Sequence, residues 1–258
     1  MRVLKWILVG LGGLLALLLV GVLTLPAATA YAWFHPPQSN VSLSGLQGSI
    51  WTGEAASLRV DGHELGRLNW RISPWQSLWG ARSLDFELQG PALKLRGTAQ
   101  AAAAGEIQLQ ALQGEVDAAW LAPALAIPEL TPAGRLEVEV EQLRLDAEQM
   151  PLDIVARLYW REAGVRGRAE AQFGDIEILA NGLNGRIGAE VRSVEGADLA
   201  IDGRIQLAER RYQAEFVLLP RVSSGPLIQA LAWVGEPRAE GGRLLKVEGQ
   251  LLPPGARQ

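Results

Sequence analysis

Polar and apolar residues follow two different patterns along this chain. Residues 6–25 read WILVGLGGLLALLLVGVLTL, a continuous apolar run without a charged side chain. About 20 such residues form a helix of ~30 Å, which matches the hydrocarbon core of a bilayer. After the segment FHPPQSN the pattern changes to alternation with period two, which is typical of strands that bury one face. The chain therefore predicts a membrane helix followed by a β-rich body.

The charges around the apolar run predict its orientation. Arg2 and Lys5 precede it, and apart from His35 no further titrating acidic or basic side chain appears before Glu54. The positive-inside rule then places the N-terminus in the cytoplasm and the body outside it. The predicted organisation is a cytoplasmic tail, a transmembrane anchor, a linker and an exported β-rich domain, over residues 1–5, 6–25, 26–40 and 41–258.

A cleaved secretory signal is the alternative interpretation of the N-terminus. Ala28–Ala30 reads ATA, which fits a small-x-small cleavage pattern. The apolar run is, however, longer than the roughly 7–15 residues of a signal-peptide core, so we prefer an uncleaved anchor. Tyr31, Trp33 and Phe34 follow at the far end, where aromatic side chains favour the membrane interface. Both interpretations export the same body.

Five segments of the body alternate with period two. They read LDFELQG from Leu84, RLEVEVEQLRL from Arg135, IDGRIQL from Ile201, YQAEFVL from Tyr212 and LKVEGQL from Leu245. The alternation in the second slips by one residue, which predicts a β-bulge near Gln142. The signals are too closely spaced for βαβ crossovers. We therefore predict a mainly β fold, a curved antiparallel sheet or a partly open β-sandwich with one or two short helices.

Turn and helix signals complete the expected fold. Asp61–Gly62 predicts a hairpin, and Asn181–Gly182 and Asn184–Gly185 carry residues that tolerate tight turns. Asp202–Gly203 interrupts an alternating run, which favours a bulge or bend. The segment SGPLIQALAWVGEP predicts a helix with Leu227, Ile228, Leu231 and Val234 on one stripe, and VDAAWLAPAL predicts a short helix from about Val116.

Composition restricts the chemistry. The 258 residues are 48% hydrophobic with a net charge of −4, and no basic cluster suited to nucleic acid follows the N-terminus. Cysteine is absent, and His35 and His63 are the two histidines. No nucleophile elbow, phosphate-binding loop or metal-ligand spacing is present in the sequence. We therefore expect no enzyme activity, cofactor or metal, and interpret the Glu137, Glu139 and Glu141 row as the wet face of a strand.

Tryptophan is the unusual residue of this chain, with nine copies. Trp51, Trp70, Trp75 and Trp79 fall close together, and either fill a small β core or form an aromatic patch that docks a protein or lipid. Gly48 and Gly53 bracket SIWT, which we interpret as a short strand that lets Trp51 fold inward at the sheet edge nearest the membrane.

The same segment resembles a known family. Gly45, Gly48, Trp51 and Gly53 match a G-x-x-G-x-x-W-x-G stretch, and Leu68, Trp70, Ile72 and Pro74 match L-x-W-x-[ILV]-x-P. Both are typical of protein N of the type II (general) secretion pathway of Gram-negative bacteria. The resemblance implies a non-catalytic, single-pass accessory component of the cell inner membrane, whose exported domain over residues 41–258 is periplasmic. Its partners would be the inner-membrane platform, the outer-membrane secretin, or both.

The candidate interaction or architectural motif is thus Gly45, Gly48, Trp51, Gly53, Trp70, Trp75 and Trp79. A second hypothesis is an AsmA-like envelope protein whose apolar sheet face handles lipid, since a curved sheet with one apolar face makes a groove for acyl chains. An envelope enzyme is the least favoured hypothesis, because no catalytic set is visible in the sequence.

Overall fold

The computed structural model describes residues 25–34, 41–60, 62–73, 83–102, 105–122, 130–167, 170–222, 225–232 and 234–250. The chain divides into two compact units, an N-terminal unit (Met1–Pro91) and a C-terminal unit (Ala92–Gln258). The anchor predicted over residues 6–25 lies outside the described residues except for Leu25. Neither α-helix in the described ranges has both the length and the apolar character that a membrane crossing requires.

The N-terminal unit contains one helix and an antiparallel meander. Consecutive strands pair with each other from first to last. Its elements are α1 (Ala27–Phe34), β1 (Val41–Gly48), β2 (Thr52–Val60), β3 (His63–Ile72) and β4 (Ser83–Gln89). Helix α1 lies within the segment that was predicted as a linker. The side chains of Ala27, Ala55 and Leu88 are buried.

The C-terminal unit is a longer antiparallel meander. Its strand order follows the sequence until the last pair, where β14 lies between β12 and β13. The elements are β5 (Leu93–Ala101), β6 (Ile107–Asp117), the 3₁₀ helix η1 (Ala118–Leu121), β7 (Leu130–Leu145), β8 (Pro151–Gly167), β9 (Ala171–Leu183), β10 (Arg186–Ser193), β11 (Leu199–Ala208), β12 (Arg211–Pro220), α2 (Gly225–Ala232), β13 (Glu236–Pro237) and β14 (Arg243–Gln250).

Several apolar residues of the alternating segments are buried, as the pattern predicts. Leu88 on β4 and Leu136 and Val140 on β7 are buried, while the intervening carboxylates face outward or lie at the surface. The slip in β7 is a bulge, because pairing with β8 shifts between Val140 and Gln142 and leaves Glu141 out of register. The prediction of a mainly β, antiparallel fold with few helices is therefore confirmed, and the curvature of the sheet stays a prediction.

The turn predictions had mixed outcomes. The β2–β3 hairpin closes with Val60 paired to His63, as the Asp61–Gly62 signal predicts. Asn184–Gly185 forms the β9–β10 turn, with both residues at positive φ. Asn181–Gly182 is not a turn, since both residues pair in the interior of β9.

The bulge predicted at Asp202–Gly203 is also wrong. Both residues pair in unbroken register with Val217 and Phe216 of β12. A glycine stands there because a Cβ at Gly203 would overlap the ring of Phe216. The interruption of the alternating pattern thus reflects close packing between neighbouring strands.

Helix α2 covers the apolar face of the C-terminal unit. Leu227 and Leu231, one helical turn apart, are buried with Leu199 of β11 and Leu218 of β12 in one cluster. Ile228, expected on the same stripe, is instead 51% exposed. The short helix predicted near Val116 is η1, whose first turn is capped by Asp117 through a 2.9 Å bond that its carboxylate accepts from the Ala119 amide.

Candidate interaction site

The connection between β1 and β2 is built around Ser49. Strand β1 ends at Gly48, whose φ of +81° lies in the left-handed region that glycine adopts without a Cβ clash. The Ser49 amide donates to the Thr52 carbonyl at 2.9 Å, and the Ser49 hydroxyl accepts from the Thr52 amide at 3.2 Å. The interpretation of SIWT as a short strand is therefore wrong, since these residues make the turn between the strands.

Trp70 closes this turn from the neighbouring strand. Residue 70 lies opposite Gly53 in the β2–β3 pairing, and its indole nitrogen donates to the Ile50 carbonyl at 3.3 Å. A Cβ placed on Gly53 would come within 2.5 Å of Cζ2 of the indole. The Trp70 ring thus packs directly against the backbone of Gly53. Trp51 and Trp70 are both half-buried, but the ring over Gly53 is that of Trp70.

Gly45 allows a second close approach in the same hairpin. It lies opposite Ala56 with a φ of +65°, and a Cβ on it would come within 2.6 Å of the Ala56 Cβ. Ala55, next to it, has no exposed surface. The three glycines of the motif therefore have one shared role, because each lets a neighbouring methyl, backbone or ring atom approach closely at the β1–β2 hairpin.

Helix α1 and the two residues before it contact this hairpin at three points. The Leu25 carbonyl accepts from the Ile50 amide at 3.1 Å, and Pro26 forms a bridge with Ser49. One turn further on, the Tyr31 hydroxyl accepts from the Leu43 amide of β1 at 3.0 Å. The Leu43 amide lies on the edge of β1 that faces away from β2. The Tyr31 hydroxyl therefore bonds a backbone donor that would otherwise be unpaired. Sequence reasoning placed Tyr31 at the membrane interface but did not predict this bond.

The structure brings together part of the predicted motif. Gly45, Gly48, Trp51, Gly53 and Trp70 all lie in or against the β1–β2 hairpin. Trp75 and Trp79, like Pro74, lie outside the described residues. The motif residues that are described act locally as an architectural unit, which leaves an additional role in docking as a prediction.

A charged cluster in the C-terminal unit includes Glu137 of the predicted wet strand face. The guanidinium of Arg161 binds Glu137 of β7 and Asp175 of β9, each at 3.1 Å, and lies over the Tyr159 ring at 4.9 Å. Its hydrogen bonds to the two carboxylates raise the pKa of Arg161. A hydrogen bond to Glu177 raises the pKa of Tyr159. Both groups thus keep their protons at neutral pH, which suits cross-strand pairing between β7, β8 and β9.

A buried carboxylate fastens the β9–β10 turn. Asp153 of β8, 7% exposed, accepts from the Asn184 amide at 2.8 Å and pairs with Arg144 of β7 at 2.8 Å. Because a buried charge without partners is costly, this pair holds three strands together at one end. The sequence carried no signal for it, since Asp153 is separated from both partners along the chain.

Two open clefts lie on the described part of the C-terminal unit. One, of about 570 Å³, crosses β6 to β9, and the other, of about 470 Å³, crosses β11, β12 and β14. Both are lined by charged as well as apolar side chains, the first including Glu139, Glu141 and Arg157 and the second Arg204, Glu215 and Lys246. Among the described residues, no group of three or more His, Asp or Glu side chains is arranged to hold a metal ion.

Comparison with known proteins places the chain in a family. Residues 39–246 match the family model described as type II secretion system (T2SS), protein N. A type II secretion system protein N of Aeromonas hydrophila is 24% identical over 88% of this chain and 91% of its own length. One of Vibrio cholerae serotype O1 is 27% identical over 89% of this chain and 92% of its own. No solved structure matches significantly. The family match spans both units, and the chain belongs to the type II secretion system protein N family.

Proposed function

We propose that this protein is a single-pass inner-membrane component of the type II secretion machinery, and that its periplasmic body acts without catalysis by contacting other proteins of that machinery. The family match over residues 39–246 is the observation that carries the proposal. The two relatives are named as proteins of the same secretion system. The uncharged run over residues 6–25, preceded by Arg2 and Lys5, supports the membrane location and its orientation.

The polar side chains described above support a non-catalytic role. Arg161 is occupied by two carboxylates, and Asp153 by an arginine and a backbone amide. These groups therefore serve strand pairing in this proposal.

Secretion measured in a deletion strain tests the role. Loss of the gene is expected to leave type II substrates in the periplasm, and the full chain supplied on a plasmid is expected to restore their release. Undiminished secretion in the deletion strain under several growth conditions would count against the proposal. Alkaline phosphatase fused after Gln258 tests orientation, since this reporter is active only outside the cytoplasm.

Photocrosslinking in living cells tests the contacts. A benzoyl-phenylalanine at position 75 or 79 is expected to capture the inner-membrane platform, the secretin or both, because aromatic residues are enriched at protein interfaces. The same probe at Glu209, an exposed residue of the β11–β12 turn, is the control. Equal labelling of all three positions would mean that the tryptophan segment has no special part in assembly.

Lipid handling by an AsmA-like groove is not favoured by the described clefts. An acyl chain in the larger one would lie against Glu139, Glu141 and Arg157 and would strip water from those charges. Six of the eleven residues that line this cleft are apolar, so its surface is mixed, whereas pockets for apolar ligands are lined predominantly by apolar side chains. Native mass spectrometry of the purified protein separates the two functions, since a lipid carrier retains bound lipid in a defined ratio.

A further inference from the structure

Helix α1 is apolar except for Thr29 and the hydroxyl of Tyr31, and within the described part of the chain only one of its sides is covered. Its sequence AATAYAWF carries no charge. Ala27 is buried and Tyr31 bonds to β1, whereas Ala28 and Ala32 are exposed and Trp33 is 68% exposed. A helix that is hydrophobic all round normally has all its faces covered by protein or lipid. The face with Ala28, Ala32 and Trp33 therefore needs an occupant.

The sequence before α1 indicates which occupant that is. The apolar run over residues 6–25 ends two residues before the helix begins. Its last residue, Leu25, is already bonded to Ile50 in the β1–β2 turn. The apolar run thus ends at a residue that is bonded to the first hairpin, with no linker between them. A bilayer that contains the run therefore also lies beside α1 and the turn.

The amino-acid composition of this surface is suited to contact with a membrane. Residues 25–34 and 41–53, which supply α1, β1 and the turn, contain no charged side chain. Indole rings favour the headgroup region, because they combine a large apolar area with one hydrogen-bond donor. A contact with acidic or basic protein surface would instead require charges on this side.

We propose that α1 and the β1–β2 turn form a platform that lies in the headgroup region of the bilayer, with Trp33 inserted among the lipids. The N-terminal unit is then held at the membrane surface by its own fold and is not carried on a flexible linker. This inference rests on the proposed inner-membrane location, because it takes residues 6–25 to cross the same bilayer.

Spin labelling tests the platform directly, and the absence of cysteine makes the natural chain a suitable background. The full chain carrying Ala32→Cys with a nitroxide is placed in nanodiscs of phosphatidylethanolamine and phosphatidylglycerol. Collision rates with oxygen, which concentrates in lipid, and with a nickel chelate, which stays in water, report the depth of the label. Leu183→Cys in the C-terminal unit is the control, since residue 183 is 66% exposed.

The expected result is a low nickel and high oxygen collision rate at position 32, with the reverse at position 183. In the Trp33→Ser background the label at position 32 is expected to shift toward the aqueous values. A chain retained in the nanodisc whose position 32 behaves like position 183 would overturn the platform while keeping the anchor. Shielding of position 32 from both reagents would mean that a second copy covers α1, which also overturns it. A chain that the nanodisc does not retain would overturn both the platform and the proposed location.

Discussion

Substitution of Gly53 by alanine is the sharpest test of the hairpin packing. The added Cβ would lie 2.5 Å from Trp70 Cζ2, 2.7 Å from the Gln47 carbonyl oxygen and 2.9 Å from the Ser49 carbonyl oxygen. Non-bonded carbon atoms prefer about 3.5–4.0 Å, so the methyl group overlaps one ring and two backbone atoms. Relief requires movement of the turn itself, which places the cost at the upper end of the usual overpacking range, about 3 kcal/mol.

Alanine substitutions at two other glycines are the controls, because they add a methyl group without this steric overlap. Gly62 has a φ of +80° and open space around it, so Gly62→Ala is expected to cost about 1 kcal/mol from backbone strain alone. Gly188 has no positive φ and meets only the Asn181 oxygen at 4.0 Å. Gly188→Ala is therefore expected to be neutral or slightly stabilising, because alanine restricts the unfolded chain.

Urea unfolding of the full chain in detergent, followed by tryptophan fluorescence and circular dichroism, measures these differences. With a slope of about 2 kcal/mol per molar urea, a loss of ~3 kcal/mol lowers the midpoint by roughly 1.5 M. Trp70→Phe in the Gly53→Ala background is expected to recover part of the loss, since the phenyl ring is smaller than the indole. A Gly53→Ala midpoint equal to that of Gly62→Ala would refute the packing argument.

Five further substitutions are checked by the same unfolding measurement, and one of them also by hydrogen exchange. Asp153→Ala is expected to cost about 2–3 kcal/mol by leaving its partners unpaired, whereas Asp153→Asn keeps an acceptor for the Asn184 amide and is expected to cost less. Leu227→Ala is expected to cost about 2–5 kcal/mol because the side chain is 1% exposed, while Ile228→Ala stays within ~0.5 kcal/mol. Tyr31→Phe is expected to cost about 1 kcal/mol and to speed hydrogen exchange at the β1 amide that it releases. Unchanged exchange at that amide would contradict the proposed bond.

Strand positions were predictable from sequence because alternation is a local property. The run LDFELQG defines β4, and the slip of one residue in RLEVEVEQLRL locates the bulge at Glu141. Both follow from which face of a single strand is buried, and that needs no knowledge of the partner strand.

Turns were less predictable, since the same dipeptide serves two purposes. Asn181–Gly182 and Asn184–Gly185 lie three residues apart, and only the second is a turn. The register with β8 decides between them, because Ile154 and Val155 pair with Gly182 and Asn181 and keep both inside β9. The two register shifts in the β8–β9 pairing cancel, so this register is set by the pairing of the two whole strands, which no local pattern encodes.

The candidate site was likewise predictable only in part. Glycine and tryptophan at fixed offsets located the hairpin, but which indole covers Gly53 depends on the β2–β3 pairing. That pairing, followed back from Val60 and His63, brings Trp70 opposite Gly53, and its two register shifts around Leu58 cancel. The sequence places Trp51 nearer to Gly53 along the chain, and proximity in sequence proved to be the wrong criterion.

The contacts of the first hairpin link its architecture to its proposed location. A turn that only joined two strands would need no tryptophan from β3 and no helix on its outer edge, yet this turn receives Trp70 on one side and Leu25 on the other. If residues 6–25 cross the membrane and the body contacts secretion proteins, as proposed above, rigid attachment of the first hairpin is an advantage, because sites on rigid elements are held more precisely. On this reasoning the glycines of the motif matter to secretion through the placement of the periplasmic body. Variants such as Gly53→Ala are then expected to impair assembly in proportion to their loss of stability, without altering any contact surface themselves.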